Sequence, residues 1–357
     1  MRILHCPTAT GGNAFGLSRA ERKLGHISDS MVFSNNYLNY PVDIDLHFER
    51  LNRWEREAAR INFFSDAVEK YEVFNFNFGE TLFSYPKLNL YHIDLPLLRI
   101  LGKKMAFIFQ GCDMRIKKAS LERDSSPCED CQGFFCDEVP DIVKKRKYEK
   151  FKKYSSAIFC LNPDICRQYE GLKFMPYASV DFRDWQPVEK PETGKLTIVH
   201  APTNRDKKGS KYIIEAVEKL KSERNDVEFF LIENMAYEEA KKHFQNADIV
   251  IDQVLIGWYG AFAVEMMALK KPVVCYINED DLVAIPPDMK KELPLYSADR
   301  SNLLEKLRLL CSDAKLRQSL GERGRKFVEK WHDPLIIAKQ LLASYKQQAD
   351  KRQDRNR

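Results

Sequence analysis

The sequence predicts an α/β chain built from two Rossmann-like, doubly wound halves. Three observations carry this. Short apolar runs alternate with amphipathic helical stretches, the rhythm of a parallel sheet covered by helices. The rhythm restarts after a polar stretch from Val188 to Lys195 that contains a proline and a glycine. The length of 357 residues exceeds one ordinary core and suits two domains of about 150–200 residues each.

The elements follow in order. In the first half, strands are expected at 3–6, 29–33, 73–78, 105–110 and 157–161, and helices near 15–23, 52–70, 141–154 and 163–170. Residues 3–6 read as a buried strand, because the apolar stretch is too short for a signal peptide. In the second half, strands are expected at 196–200, 227–232, 249–252 and 272–277. Helices at 210–221, 237–245 and 261–269 alternate with them. In the first of these, Ile213, Ala216, Val217 and Leu220 share one face. Helices near 300–311, 313–330 and 334–348 close the chain. The expected domains are 1–190, with a cysteine-rich insertion at 112–139, and 191–333. Residues 334–350 form a helix crossing back to the first domain, and 351–357 form a disordered tail.

Composition narrows the function classes. Hydrophobic residues at 44% and charged residues at 31% describe a soluble globular chain. No apolar run approaches the ~20 residues that cross a bilayer, so a cytoplasmic location is expected. The net charge of +5 is local, concentrated at 144–153 and 346–357. These stretches lack aromatic platforms, so no nucleic-acid partner is expected. Nine cysteines, an odd number, argue against a disulfide framework. Cys6, Cys160, Cys166, Cys275 and Cys311 read as small buried residues in or beside apolar elements.

The stretch from Ala247 to Tyr276 carries the sharpest chemistry. A strand ends at Asp252, a loop holds Gly257 and Gly260, and a helix follows with Glu265 in its second turn. Gly260 lets a ligand approach the backbone. The N–H groups of Ala261 to Val264, at the positive end of the helix, suit a diphosphate. Glu265 suits two neighbouring hydroxyls such as those of a ribose. A second stretch, His200 to Gly209, follows the first strand of the second half. There Arg205 and Lys208 can neutralise a pyrophosphate leaving group. A third, Thr10-Gly11-Gly12-Asn13, directly follows the first strand. Asn75 and Asn77 end another strand, and Gln110, Asp113 and Arg115 follow the next. Cys112 with Cys128, Cys131 and Cys136 has the look of a thiolate set, and a structural zinc is the metal it suits.

The stretch 247–276 resembles the donor site of family-4-type retaining glycosyltransferases, the glycosyl transferases of group 1. Their pattern is Glu-Gly-Phe-Gly, four variable residues, then Glu-Ala-Met-Ala-x-Gly-x-Pro-Val. Tyr259-Gly260, Glu265, Met267-Ala268 and Pro272-Val273-Val274 match it in order and spacing. Gly257 stands where the pattern has its first glutamate, which touches the transferred sugar in that family.

The resemblance implies the GT-B architecture, two Rossmann-like domains with an interdomain cleft. It implies hexosyltransferase-type transfer, with retention, from a nucleotide-diphosphate-sugar to a glycan or lipid-linked acceptor in polysaccharide or glycoconjugate biosynthesis. Tyr259, Gly260, Ala261, Phe262, Ala263 and Glu265 would bind the donor, with Glu265 on the ribose. Arg205 and Lys208 would hold its phosphates, and Gly11 and Gly12 would face it. Gln110 and Asp113 would edge the acceptor side and, with Arg205 and Lys208, make up the expected catalytic set. No catalytic metal is implied. Related enzymes often touch anionic membranes through basic surface of the first domain. The basic helix at 143–154 is suited to peripheral contact with the inner membrane face. Two other classes share such a scaffold: a nucleotide-sugar epimerase and a non-catalytic nucleotide-sugar-binding protein.

Overall fold

The structure, a computed structural model, describes residues 1–353 except 36, 86, 87, 89, 133–135, 137, 138 and 190–193. The chain divides into two compact units. One comprises Met1–Met114, Ile142–Ser179 and Asp333–Arg357, the other Arg115–Asp141 and Val180–His332.

The first unit is built on a parallel seven-stranded sheet of β1 (Arg2–Cys6), β2 (Ile27–Val32), β3 (Ile44–Asp45), β4 (Val73–Asn77), β5 (Lys104–Phe109), β6 (Ala157–Cys160) and β7 (Lys173–Phe174). The order is β3-β2-β1-β4-β5-β6-β7. In register, Leu4 faces Asp29 on one side and Phe74 on the other. Successive residues of β4 and β5 are buried on both faces, as helices on either side of a parallel sheet require. The strand order reverses between β1 and β4, so a crevice opens at their carboxyl ends. The helix Arg53–Lys70 starts at a capping box: Asn52 accepts the Trp54 and Glu55 N–H groups, and Glu55 reaches back to the Asn52 N–H. The last helix, Pro334–Gln353, packs on the helix Asn13–Lys23. There Asn75 Nδ2 donates to the buried Tyr345 hydroxyl at 2.9 Å.

The second unit has a parallel four-stranded sheet of β8 (Leu196–His200), β9 (Val227–Leu231), β10 (Ile249–Gln253) and β11 (Val273–Cys275), ordered β11-β10-β8-β9. Ile198, Ile213, Val217, Leu220, Ile249 and Ile251 lie in its core, which matches the apolar face expected of the helix Ser210–Glu223. Here the order reverses between β8 and β10.

Several expectations need correction. The segment Arg115–Asp141, expected to be an insertion of the first domain, belongs to the second unit. Charge holds it there: Arg123 pairs with Asp281 at 2.6 Å, and Asp130 takes Lys211 and the Tyr212 hydroxyl, both at 2.9 Å. Among the described residues, the group of three or more ligand-type side chains with ligand atoms within 4.8 Å of one another is Asp45, His47 and Glu49. Among the described residues, Cys128, Cys131 and Cys136 form no such group.

The basic helix, Asp141–Tyr154, buries Lys144 and Lys147, leaving Lys145, Arg146, Lys152 and Lys153 exposed. The edge strands β3 and β7, two residues each, and the helix Asp94–Ile100 were not legible as periodic patterns. The helix expected at 163–170 is limited to Pro163–Cys166. Residues 190–193 of the linker and 354–357 of the tail lie outside the described residues. Among the described residues, no helix is long and apolar enough to cross a membrane.

Candidate functional site

At the carboxyl ends of β8 and β10 two loops are stitched together. The Val254 N–H donates to the Lys208 carbonyl at 3.1 Å. Gly209 carries φ +74°, and a Cβ there would meet Val254 Cγ2 at 2.6 Å, so only glycine lets the loops close. Gln253 is fully buried and shapes the following turn. Its side-chain oxygen accepts the Leu255 and Ile256 N–H groups, while its Nε2 donates to the Trp258 and Tyr276 carbonyls.

The ion pair of Lys208 with Asp252 lies at this junction. The Asp252 carboxylate is fully buried and also accepts the Gly260 N–H at 2.9 Å. A Cβ on Gly260 would stand 3.5 Å from Lys208 Nζ. Lysine, aspartate and glycine turn therefore share one small volume. Gly260 is the N-cap of the helix Ala261–Ala268 and has no side-chain cap. By helix geometry, the N–H groups of Ala261 and Phe262 have no intrahelical acceptor and point out of the helix start. A cation and these N–H groups form a place for an anion.

Glu265 lies one turn further along. It is 3% exposed between the fully buried Val264 and Met266, so it is not the solvated glutamate of an ordinary surface helix. His200 sits beneath the junction, with Nδ1 2.8 Å from the Ile251 carbonyl and Nε2 2.8 Å from Ser210 Oγ. The carbonyl can only accept, so Nδ1 carries the proton. Burial pushes this imidazole down to about 4.

Other expected donor residues are placed differently. Arg205 forks onto Glu233, which follows the neighbouring strand β9, and it does not join Lys208 and Asp252. With Asp130 and Lys211, it lines a cavity of about 330 Å³. Tyr259 turns into the core, its hydroxyl 2.9 Å from His332 Nε2 and its ring against Trp258. Phe262 packs edge-on to Phe244, and Ala263 is fully buried. Ala261 and Phe262 thus contribute backbone to the helix start, whereas Tyr259 is packing.

In the first unit, Gly11 and Gly12 have φ of +61° and +66° in the turn after β1. A Cβ on Gly12 would touch Tyr40 at 3.4 Å and Ser179 at 3.7 Å. Asp113 is fully buried, and its carboxylate accepts the Gly111 N–H at 2.6 Å and the Gln110 N–H at 3.2 Å. That is the geometry of a turn cap. The Gln110 carbonyl accepts from Asn162 Nδ2 at 2.6 Å. Gln110 Nε2 and Asn77 Oδ1 are buried with no hydrogen-bond partner among the described residues.

No family model matches the sequence. No curated protein matches it significantly. Solved structures do match in shape. Sucrose-phosphate synthase from Thermosynechococcus elongatus aligns over 98% of this chain and 100% of its own, with TM-score 0.61 and 13% identity. Anabaena HepE in complex with UDP-glucose aligns over 97% and 100%, with TM-score 0.62 and 11% identity. The chain has the GT-B fold. A putative UDP-N-acetylglucosamine 2-epimerase from Listeria monocytogenes shares this fold, aligning over 98% and 97% with TM-score 0.58 and 11% identity. In GT-B terms, the Lys208–Asp252–Gly260 junction lies where the strand order of the second sheet reverses.

Asp252, Gln253 and Arg123 were missed as site residues in the sequence. Asp252 and Gln253 end a strand directly before a glycine loop, which is a legible signal. Arg123 lies in a segment with no periodicity, and only folding brings it to the turn.

Proposed function

We propose that the protein transfers a sugar from a nucleotide-diphosphate-sugar donor to an acceptor, with retention of configuration. The convergence of Lys208, Asp252 and the Gly260 turn at an uncapped helix start carries the reading. The donor diphosphate would sit against the Ala261 and Phe262 N–H groups. Lys208 would exchange Asp252 for a phosphate oxygen and neutralise the leaving nucleoside diphosphate. Glu265 would take the ribose hydroxyls. Such sites replace a catalytic metal by fixed positive groups. The UDP and UDP-glucose complexes of HepE support a nucleotide-sugar ligand.

In the first unit, Asn77 Oδ1 and Gln110 Nε2 have no hydrogen-bond partner among the described residues, and such amides suit hydroxyl groups of an acceptor. A glycan or lipid-linked acceptor fits this, in polysaccharide or glycoconjugate assembly on the inner membrane face. Membrane contact gains support beyond the basic helix. Ile93, Leu97, Ile100 and Leu101 are exposed on and beside the helix Asp94–Ile100, with Ile100 81% exposed. Arg99 of that helix donates to the Lys153 carbonyl at 3.3 Å, which sets the apolar row beside exposed lysines. An apolar face rimmed by cations suits an anionic bilayer.

The test is calorimetric titration with UDP, GDP, ADP and dTDP, followed by incubation of the matching nucleotide sugars with candidate acceptors. Release of nucleoside diphosphate that depends on acceptor is the expected result. Absence of binding by all four diphosphates refutes the reading. The likeness to the Listeria epimerase favours a second reading: interconversion of UDP-sugar epimers, with no acceptor required.

A further inference from the structure

We propose that Arg123 is an additional donor-binding residue, which takes an anionic oxygen of the nucleotide sugar at the Gly257 turn. This rests on the reading of the second unit as the donor site.

The turn is shaped around this guanidinium. Gly257 has φ +83°, a conformation that favours glycine. A Cβ there would lie 2.5 Å from Arg123 Nη2 and 2.9 Å from Asn278 Cβ. Any side chain at 257 would displace Arg123 or the Asn278 segment, whose N–H donates to the Gly257 carbonyl at 3.0 Å. Where the motif that 247–276 resembles has a carboxylate, this chain therefore has bare backbone with a cation against it.

Arg123 is also held in place. Asp281, 4% exposed, pairs with Nη2 at 2.6 Å, and the Arg123 side chain is only 12% exposed. An arginine oriented in this way loses little side-chain freedom on meeting a ligand. Gly257 and Gly260 are three residues apart in one loop, a span of at most about 11 Å. That brings Arg123 within the length of a diphosphate-sugar of the Lys208–Asp252 junction.

The placement also answers a deficit. The cation expected beside Lys208 was Arg205, but Glu233 engages it in a bidentate pair. The segment Arg115–Asp141 supplies a second cation from another direction. Two groups on a nucleotide sugar suit a planar guanidinium: the distal phosphate and a sugar carboxylate. Neither requires a new covalent step, so the role is binding and specificity.

The experiment compares wild type, Arg123→Gln, Arg123→Lys and Lys208→Ala. Calorimetry measures each with UDP, UDP-glucose and UDP-glucuronate, and a thermal melt accompanies each variant. Weakening of all three ligands by roughly tenfold in Arg123→Gln, with partial recovery in Arg123→Lys, assigns the contact to the distal phosphate. Weakening confined to UDP-glucuronate assigns it to a sugar carboxylate. Wild-type affinity for all three ligands in a folded Arg123→Gln overturns the proposal. If Arg123→Gln does not fold, Arg123→Lys decides: its affinities fall several-fold if the planar fork binds the donor, and unchanged affinities overturn the proposal. Wild type that binds none of the three sinks the donor-site reading itself. Binding that needs Lys208 but ignores Arg123 sinks this inference alone.

Discussion

The carboxyl edges of the two sheets are built from different chemistry. In the second unit the edge is charged: Lys208 and Asp252 pair at the strand reversal, and Arg123 and Asp281 pair beside the same glycine loop. In the first unit the corresponding edge mixes buried charge, Asp113 and Lys147 beside Gly79, with a row of amides. Asn75 binds His5 and Tyr345, while Asn77 Oδ1 and Gln110 Nε2 have no partner among the described residues. Buried charges persist where they are paired or where an ion will replace a partner, and neutral amides match hydroxyls without the desolvation cost of an ion. Under the proposed function, the Lys208–Asp252 edge takes the diphosphate, and the amides of the first edge take hydroxyl groups of an acceptor.

The most direct way to break this division is Lys208→Ala. Loss of the cation at the leaving group should cut turnover by about a hundredfold or more, read as nucleoside diphosphate release. The same change strands a buried carboxylate and should lower stability by about 3–5 kcal/mol, read by urea unfolding. Full activity would remove the charged edge from the mechanism.

A second test uses pH. His200 in the folded protein is held at about 4, below its ordinary value, chiefly by burial. The unfolded chain binds this proton more readily than the folded one. The neutral ring's contribution to stability is therefore present above about pH 6.5 and is lost as pH falls toward 4. By pH 5 the loss from this ring should reach about 2 kcal/mol. Denaturant unfolding at pH 7 and pH 5 should show a smaller difference for His200→Asn than for wild type. An identical difference would show that the ring does not titrate as its burial dictates.

Glu265→Gln sharpens the nucleotide end of the comparison. Replacing the buried carboxylate removes a charge-assisted acceptor, so donor affinity should fall about tenfold, measured by calorimetry. The smallest effect is expected on the amide edge. Asn77→Ala combined with Gln110→Ala should raise the acceptor KM several-fold and leave diphosphate affinity unchanged. A drop in diphosphate affinity instead would mean that the amide edge also serves the donor.

Much of this was legible locally. The alternation of apolar runs and amphipathic helices located the main strands, because burial on both faces leaves a continuous apolar signal. Gly260, the helix start and Glu265 were readable because their spacing lies within one βα turn. Lys208 was readable for the same reason. Arg205 and Asp113 were assigned catalytic parts because their types and positions fitted. In the structure Arg205 engages Glu233, and Asp113 holds the Gln110–Gly111 backbone.

The sequence by itself determined the two βα series, the glycine turns and the helix that presents Glu265, since these depend on backbone preference and short-range periodicity. Tertiary structure alone decided which charges meet. Asp252 with Lys208, Arg123 with Asp281 and Gly257, and Arg205 with Glu233 are pairings across 44, 158 and 28 positions of chain. Coulomb attraction and desolvation act on distances in space, and those distances exist only after the sheet has closed.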